Sequence, residues 1–264
     1  MGPAAFRSAA FLVLAGSLAI NASALREAPV ATIGIIIDDL GNSLVQGRRA
    51  VRLPGAVACA ILPKTPYSAT LARKAHANQK EVILHLPMES TDGVELGPGG
   101  LDSKMGAAEI AAILEEDLQT VPHAVAVSNH MGSLLTRQPE SMRWFIQAVA
   151  QRGNLFFVDS RTTPYTVAAD LARELDVPYL VRNVFLDQDR GTDAIEREFE
   201  RLLNNARRQG KALAIAHPYP ETLALLERRL PTIGASGVRL VAPSQLLELA
   251  QTDIRDRSRM RMTQ

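Results

Sequence analysis

The chain contains very little cysteine: Cys59 is the single cysteine among 264 residues. One cysteine cannot form a disulfide within the chain, so the fold must be stabilised without a disulfide framework. Cys59 lies in the apolar run Ala56–Leu62, where we expect it to be a small core residue. Because no cysteine follows the amino-terminal apolar segment at the position a lipoprotein needs, we expect no lipid anchor.

An excess of charge of either sign is also missing. The formal net charge is +1, whereas a nucleic-acid-binding protein usually carries a basic patch or a high isoelectric point. We therefore expect no nucleic-acid partner. The composition, 47% hydrophobic and 22% charged, is that of an ordinary globular protein, long enough for one barrel-sized domain or two small ones.

Long apolar runs are scarce, and the longest candidate near the amino terminus is short for a membrane span. The amino-terminal apolar segment Ala9–Ile20 is only about a dozen residues long, and a spanning helix needs roughly twenty. It follows Arg7 and precedes the small residues Ala22–Ala24, which is the pattern of a secretory signal peptide. We predict a signal peptide over residues 1–24 with cleavage after Ala24, a linker over 25–31, and a periplasmic or secreted mature protein. An uncleaved anchor is the alternative.

Downstream of residue 31, strand-like and helix-like segments alternate. The strand-like runs are Thr32–Ile37, Ala56–Leu62, Glu81–Leu86, Ala124–Val127, Leu155–Val158, Tyr179–Val181, Ala212–Ala216 and Gly237–Val241. The helical stretches are Pro66–Asn78, Ala107–Leu118, Pro139–Gln151, Thr166–Leu175, Ala194–Arg208 and Glu221–Leu230. This order predicts βαβ units in a parallel α/β sheet. Seven or eight units favour one distorted (β/α) barrel over residues 32–250, followed by a frayed basic tail over 251–264.

The first strand ends on two adjacent carboxylates. Ile33–Ile37 reads as a strand buried on both faces, and Asp38 and Asp39 follow it before the turn residue Gly41. In parallel α/β sheets the functional site lies at the carboxyl ends of the strands. We expect one aspartate to bind a cation and the other to stay free as a base. The alternative is that the pair simply caps the next helix.

Polar residues also follow several of the other predicted strands. They are His85 and Glu89 after the third, His130 after the fourth, Asp159 and Arg161 after the fifth, and His217 after the seventh. The carboxyl ends of the strands converge on one mouth of a parallel barrel, so these side chains should meet there. The glycine-rich loop Ser90–Lys104 follows the third strand, and a loop this long is usually functional or mobile.

Imidazole and carboxylate groups together favour a metal centre that binds zinc or a related divalent ion. We predict Asp39, His85 and His130 as the ligands, with Glu89 as a less favoured substitute because Pro87 interrupts its pairing with His85. Asp38 would then take a proton from the metal-bound water.

The remaining polar residues at the mouth complete the expected catalytic set. His217 would give a proton to a leaving amine. Asp159 and Arg161 would orient these groups or tune Asp38 by charge.

Five motifs in this order resemble the divergent polysaccharide deacetylase family, the YibQ-like group, which is related to the NodB-like deacetylases of carbohydrate esterase family 4. The motifs are Ile37–Gly41, His85–Met88, Asn129–Ser133, Phe157–Ser160 and Ala216–Pro218. The resemblance extends from about residue 32 to about residue 247. It implies a distorted NodB-like barrel and metal-dependent removal of N- or O-acetyl groups from a polysaccharide such as peptidoglycan.

The resemblance also implies roles for individual residues. In the NodB-like pattern the first aspartate is the base and the second a metal ligand, which correspond to Asp38 and Asp39, and a late histidine that assists the leaving group corresponds to His217. The chain departs from that pattern at the second motif, where only His85 is present and Glu89 stands in place of another histidine. It departs again at the third, where Asn129–Met131 replaces the usual residues.

Two other functions remain open from the sequence. One is a non-catalytic protein that keeps the barrel and the metal and serves in glycan binding or envelope assembly. The other is a different hydrolase on the same scaffold, for instance a metal-dependent peptide or lactam amidase.

Overall fold

The computed structural model describes residues 1–2 and 31–262, with side chains described as far as residue 252. The predicted signal peptide, residues 1–24, lies outside this range apart from its first two residues, and the predicted linker, 25–31, lies outside it apart from Ala31. Among the helices that the structure describes, none has the length and apolar character needed to cross a membrane.

In the described part of the chain, nine parallel strands form a single sheet. They are β1 Ala31–Leu40, β2 Ala58–Ile61, β3 Val82–Met88, β4 Ala124–Met131, β5 Phe156–Asp159, β6 Tyr179–Val181, β7 Val184–Phe185, β8 Lys211–Ala216 and β9 Val238–Leu240. The helices are α1 Leu44–Val51, α2 Ser68–Ala77, α3 Ala107–Thr120, α4 Pro139–Arg152, α5 Ala168–Glu174, α6 Thr192–Gln209, α7 Pro220–Arg229 and α8 Pro243–Met262. Short 3₁₀ helices cover Leu135–Arg137 and Leu230–Ser236.

The sheet curls into a distorted barrel. Its strand order is β6-β5-β4-β3-β2-β1-β8-β7, with β9 added beside the start of β1. The two end strands, β6 and β7, are joined by only Arg182 and Asn183. A link this short spans at most about 10 Å, so the two edges of the sheet must lie close together. The predicted distorted barrel is therefore confirmed.

Alternation along the strands separates two apolar layers. In β1, Ile33, Ile35 and Ile37 belong to the larger core, which packs the helices against the outside of the sheet. Ile36 belongs to a second cluster, which fills the interior and takes one or two residues from most strands. Successive residues of a strand point to opposite faces, so every second residue continues the interior layer.

Helix α8 closes the barrel at the amino-terminal ends of the strands. Leu246 and Leu247 belong to the interior cluster. A Cβ atom on Gly34 would lie 3.2 Å from Leu246 and 3.0 Å from Leu213, so the missing side chain at position 34 makes room for this packing. The opposite end, where the strands finish, is left to polar residues.

Three elements differ from the sequence prediction. Helix α1 and strand β7 were not predicted, because α1 has only eight residues and β7 has two that follow β6 almost directly. The predicted frayed tail is helical as far as Met262, since α8 runs through it. The other strands and helices lie where the alternation of patterns places them.

Candidate active site

A bulge at the end of β1 brings both aspartates to the mouth of the barrel. Asp38 lies two residues after Ile36 and continues the interior layer, whereas simple alternation would turn Asp39 outward. Asp39 instead has φ 58°, and the pairing of β1 with β2 shifts register between Ile37 and Leu40. An irregularity of this kind re-aims side chains, and the Asp39 carboxylate consequently meets histidines across the mouth.

Three histidines reach the mouth by the same interior alternation. His85 lies two residues after Ile83, and His217 two residues after Ile215. His130 lies four residues after Ala126 on β4. Each histidine thus takes an inward-facing position near the carboxyl end of its strand, which is why residues far apart in sequence converge.

Asp39, His85 and His130 form one compact cluster. His130 Nδ1 lies 2.8 Å and His85 Nε2 3.2 Å from Asp39 Oδ1. One potential ligand atom from each residue lies within 4.8 Å of the others. The cluster consists of the three residues that the sequence predicts as metal ligands.

The chemistry of this cluster fits a divalent cation. Among the described residues, Asp39 Oδ1 is shielded from solvent but accepts no hydrogen bond of good geometry, despite the two imidazole nitrogens beside it. His85 Nδ1 lies 2.8 Å from Ser128 Oγ, which holds the ring and leaves Nε2 facing the cluster. Burial lowers the pKa of His85 to about 4, so the ring is neutral, the form that binds metal. Three such ligands suit a catalytic metal site with an open position.

Asp38 lies beside the cluster with a different environment. It is 2% exposed, its Oδ1 makes no hydrogen bond within the described part of the chain, and its Oδ2 is 3.5 Å from His85 Nε2. Burial raises the pKa of Asp38 well above its ordinary value, and the charge of Asp39 adds to this. His217 and Arg182 act in the opposite direction through their positive charge.

His217 is held by a buried carboxylate. Its Nδ1 lies 3.0 Å from Asp187 Oδ1, and its backbone N–H donates to Asp187 Oδ2 at 2.7 Å. Thr222 Oγ1 also donates to Asp187 Oδ2, at 2.8 Å. With Nδ1 engaged, Nε2 faces the cluster, 3.6 Å from Asp39 Oδ2. Burial opposes protonation, but Asp187 and the carboxylates of the site raise the pKa of His217 above its ordinary value, which suits a proton donor.

Asp159 and Arg161 lie at the end of β5 but outside this cluster. Asp159 follows Phe157 of the outer core, so it faces away from the interior. Its Oδ1 accepts the Arg161 N–H at 2.8 Å and its Oδ2 accepts Thr166 Oγ1 at 3.1 Å. The Arg161 side chain is exposed, and the guanidinium that acts on Asp38 is that of Arg182.

Glu89 holds the loop that follows β3. Its Oε2 accepts the Ser103 N–H at 2.8 Å, and its backbone pairs with Leu101 in a short bridge continuing from β3. The compact cluster of potential ligands does not include Glu89. Its carboxylate therefore anchors the loop Ser90–Lys104 above the mouth.

Sequence reasoning missed three residues that the structure brings to the site: Asp187, Ser128 and Arg182. Asp187 follows the apolar run Val184–Leu186, which is the same strand-then-aspartate pattern that singled out Asp38. Ser128 lies two residues before His130 and therefore faces inward like it. For Asp187 and Ser128, the alternation of inward-pointing and outward-pointing residues along each strand was the signal that could have found them.

Comparisons with known proteins find relatives in sequence and in fold. The family model described as divergent polysaccharide deacetylase matches residues 35–247. The uncharacterized protein YibQ of Escherichia coli K12 is 34% identical over 242 residues, which are 92% of this chain and 74% of YibQ.

Two solved structures show the same fold. The uncharacterized protein ATU2773 of Agrobacterium tumefaciens C58 has a TM-score of 0.79 at 22% identity, over 83% of this chain and 90% of that one. A variant of the peptidoglycan deacetylase PdaC of Bacillus subtilis has a TM-score of 0.52 at 13% identity, over 88% and 96% of the two chains.

Proposed function

Because this chain belongs to the divergent polysaccharide deacetylase family, we propose that it is a metal-dependent carbohydrate deacetylase that acts outside the cytoplasm. Its substrate would be an N- or O-acetylated polysaccharide, such as peptidoglycan. The observation that carries the proposal is the cluster of Asp39, His85 and His130 beside a buried free carboxylate, Asp38, and a carboxylate-held imidazole, His217.

The three ligands would hold a divalent ion, for which zinc is the first choice because imidazole and carboxylate suit it. When bound, the ion would polarise the acetyl carbonyl and make water a stronger acid. Burial raises the pKa of Asp38, and the positive charge of an ion held beside it would favour the ionised carboxylate.

The two flanking groups would move protons. Asp38 accepts the proton of the attacking water, since it is close to the cluster and its Oδ1 has no competing hydrogen bond among the described residues. His217 donates a proton from Nε2 to the leaving nitrogen or oxygen, while Asp187 stabilises the charged ring through Nδ1. Acetate and a free amine or hydroxyl on the sugar result.

Acetate release from N-acetylated chitin oligomers and muropeptides tests the proposal. We expect the metal-loaded protein to release acetate, and Asp38→Asn to lower kcat by at least about 100-fold while keeping its metal. Asp170→Asn, a change in an exposed carboxylate on α5, is the control and should behave like the wild type. No acetate from any acetylated glycan with metal bound would contradict the proposal.

A second candidate, a non-catalytic glycan-binding or envelope-assembly protein, is favoured by the environment of Asp38. Burial favours its protonated form, which cannot accept a proton, and no hydrogen bond orients its Oδ1 within the described residues. Equal glycan binding by wild type and Asp38→Asn, with no acetate released by either, would support this candidate over the first.

The proposed location has its own test. The amino-terminal sequence predicts cleavage after Ala24, so expression of the full chain in a Gram-negative host should yield a periplasmic protein that begins at Leu25. Intact-mass analysis of the periplasmic fraction checks this, and a full-length mass in the cytoplasmic fraction would contradict it.

A further inference from the structure

A row of side chains joined by tilted ring–ring and cation–π contacts borders the mouth on the side of His217. Arg182 lies 4.9 Å from the ring centre of Phe185, whose ring centre is 5.0 Å from that of His217. On the other side, the ring centres of His217 and Tyr219 are 5.4 Å apart, and Arg190 lies 4.1 Å from the Tyr219 ring centre. Two guanidinium groups therefore end a row that has the proton donor at its centre.

Topology puts Arg190 and Tyr219 at the mouth. Arg190 lies in the loop between β7 and α6, and Tyr219 in the loop between β8 and α7. Loops after the carboxyl ends of parallel strands build the functional face of a barrel. Burial raises the pKa of the Tyr219 phenol, and the charges of Asp187 and Asp39 add to this because they are near.

Arg182 and Arg190, the two arginines of the row, differ in whether their N–H groups are already hydrogen-bonded. Arg182 donates from Nε to the Ser160 carbonyl at 2.5 Å and from Nη2 to the Arg161 carbonyl at 2.8 Å, so it fixes the backbone after β5. Arg190 makes no hydrogen bond within the part of the chain that the structure describes. Its one ion contact there is with Glu221, at 3.6 Å, and its side chain is 58% exposed.

We propose that the acetylated glycan carries a carboxylate close to the acetyl group that is removed, and that Arg190 binds this carboxylate. The inference rests on the proposed deacetylase function and adds the substrate class to it. Tyr219 holds the guanidinium by a cation–π contact at a fixed place beside His217. A guanidinium offers paired N–H donors that match a carboxylate, so Arg190 is a specificity-determining residue.

Two kinds of sugar present this chemistry. The carboxylate can be part of a lactyl ether on the acetylated sugar, or it can belong to a uronic acid next to an acetylated sugar. Both place an anion within one sugar unit of the acetyl group. A neutral homopolymer of N-acetylglucosamine has no such anion.

Four tetrasaccharides separate these cases. They are an alternating N-acetylglucosamine–N-acetylmuramic acid tetrasaccharide without peptide, the same compound with its carboxyl groups reduced to alcohols, a hyaluronan tetrasaccharide, and chitotetraose. Acetate release is measured for wild type, Arg190→Gln, Arg190→Lys and the control Arg173→Gln, whose guanidinium is an exposed partner of Asp170 on α5.

We expect kcat/KM on one of the two acidic compounds to exceed that on the carboxyl-reduced compound or chitotetraose by about tenfold, the gain of a charged hydrogen bond at a partly exposed site. Whether the muramic or the uronic compound is preferred identifies the source of the carboxylate. Arg190→Gln should lose the preference through a higher KM with kcat unchanged, and Arg190→Lys should keep part of it. Arg173→Gln should keep all of it.

Equal kcat/KM on acidic and neutral compounds, or an equal loss on both in Arg190→Gln, would overturn the inference and leave the deacetylase function standing. If no compound releases acetate, the deacetylase function fails, and calorimetric binding of the same compounds decides the inference by itself. Tighter binding of an acidic compound that Arg190→Gln abolishes would support it. Binding without that dependence would overturn it.

Discussion

Asp38 and Asp39 are adjacent in the sequence, yet the fold shifts the pKa values of their carboxyl groups in opposite directions. Burial raises the pKa of both groups, but at Asp39 the contacts with His130 and His85 outweigh it and lower the pKa well below its ordinary range. Asp38 has only the longer contact with His85, at 3.5 Å, and burial keeps its pKa raised. The lowered pKa keeps Asp39 ionised, which suits a cation ligand, whereas Asp38 can accept a proton only where the charge of a bound cation offsets its burial.

The Asp187–His217 pair gives the first prediction at this scale. Asp187→Asn should lower kcat for acetate release by about 100-fold, because the imidazole loses the charge that favours its protonated form. Metal content and circular dichroism should stay as in the wild type. Asp189→Asn is the matched control, since its amide oxygen can still accept the Gly191 N–H. An unchanged kcat in Asp187→Asn would show that His217 is not the proton donor.

A second prediction concerns Asp117, a fully buried carboxylate on α3. Lys64 Nζ lies 3.2 Å from its Oδ1, but burial outweighs this contact and raises the pKa of Asp117 from 3.8 to about 6. A raised folded-state pKa means that the stabilising contribution is complete below the ordinary value and is lost as the pH rises through about 6. Between pH 4 and 7 this loss amounts to at most roughly 3 kcal/mol.

Urea unfolding at several pH values checks this expectation. Asp117→Asn should remove the decline in unfolding free energy between about pH 4 and 6 that the wild type shows. Glu116→Gln is the control, because Glu116 binds the same lysine from an exposed position. Parallel pH profiles of wild type and Asp117→Asn would contradict the assignment.

At the scale of one element, the turn after β1 lies beside the proposed metal site. Gly41 has φ 133°, and a Cβ atom there would lie 2.2 Å from Thr65 Oγ1. Gly41→Ala should therefore lower the unfolding free energy by roughly 2–4 kcal/mol and weaken metal binding, because the strain lies beside the bulge at Asp39.

Gly153→Ala is the matched control for Gly41→Ala. Gly153 also has a positive φ, 69°, but no atom lies within 4 Å of its added Cβ. It should lose only about 1 kcal/mol and keep its metal. Equal losses in the two variants, measured by urea unfolding with metal titration, would show that contact with Thr65 is unimportant.

The strand ends also show how much of the site the sequence can predict. Apolar runs ending in Asp38, His85, His130 and His217 were sufficient to place those residues at one mouth. Asp159 also ends an apolar strand, but like Phe157, two residues earlier, it points to the outside of the barrel. Asp187 was missed because its strand has only two paired residues, although Phe185 packs on the interior cluster and gives the correct phase. The sequence therefore predicts where the strands lie. It does not predict to which side of the sheet a side chain at a strand end points, because that depends on register and bulges, which strand pairing in the fold decides.

At the scale of the whole molecule, the two ends of the barrel have separate tasks. Helix α8 closes one end with Leu246 and Leu247, and the cluster of Asp39, His85 and His130 occupies the other. The alternation of segments predicted the barrel, but not its closure by α8, because no helix was predicted between the last strand and the basic tail over 251–264. In (β/α) barrels the carboxyl-terminal end carries the chemistry, and the amino-terminal end contributes to stability.

This separation predicts that Leu246→Ala costs stability without loss of metal. The side chain is 2% exposed within the interior cluster, so its truncation should lower the unfolding free energy by about 2–5 kcal/mol. Leu249→Ala on the same helix, at a 37% exposed position, should cost much less. Loss of metal in Leu246→Ala at a temperature where it remains folded would contradict the separation.

The metal content of the purified protein tests the central claim most directly. Elemental analysis of the mature protein, prepared without chelator, should find about one equivalent of zinc or another divalent transition metal. The Asp39→Ala/His130→Ala double variant should lose it, whereas Glu89→Ala should keep it because Glu89 binds the loop backbone at Ser103. No metal in the wild type, even after reconstitution, or equal metal in the double variant, would contradict the account.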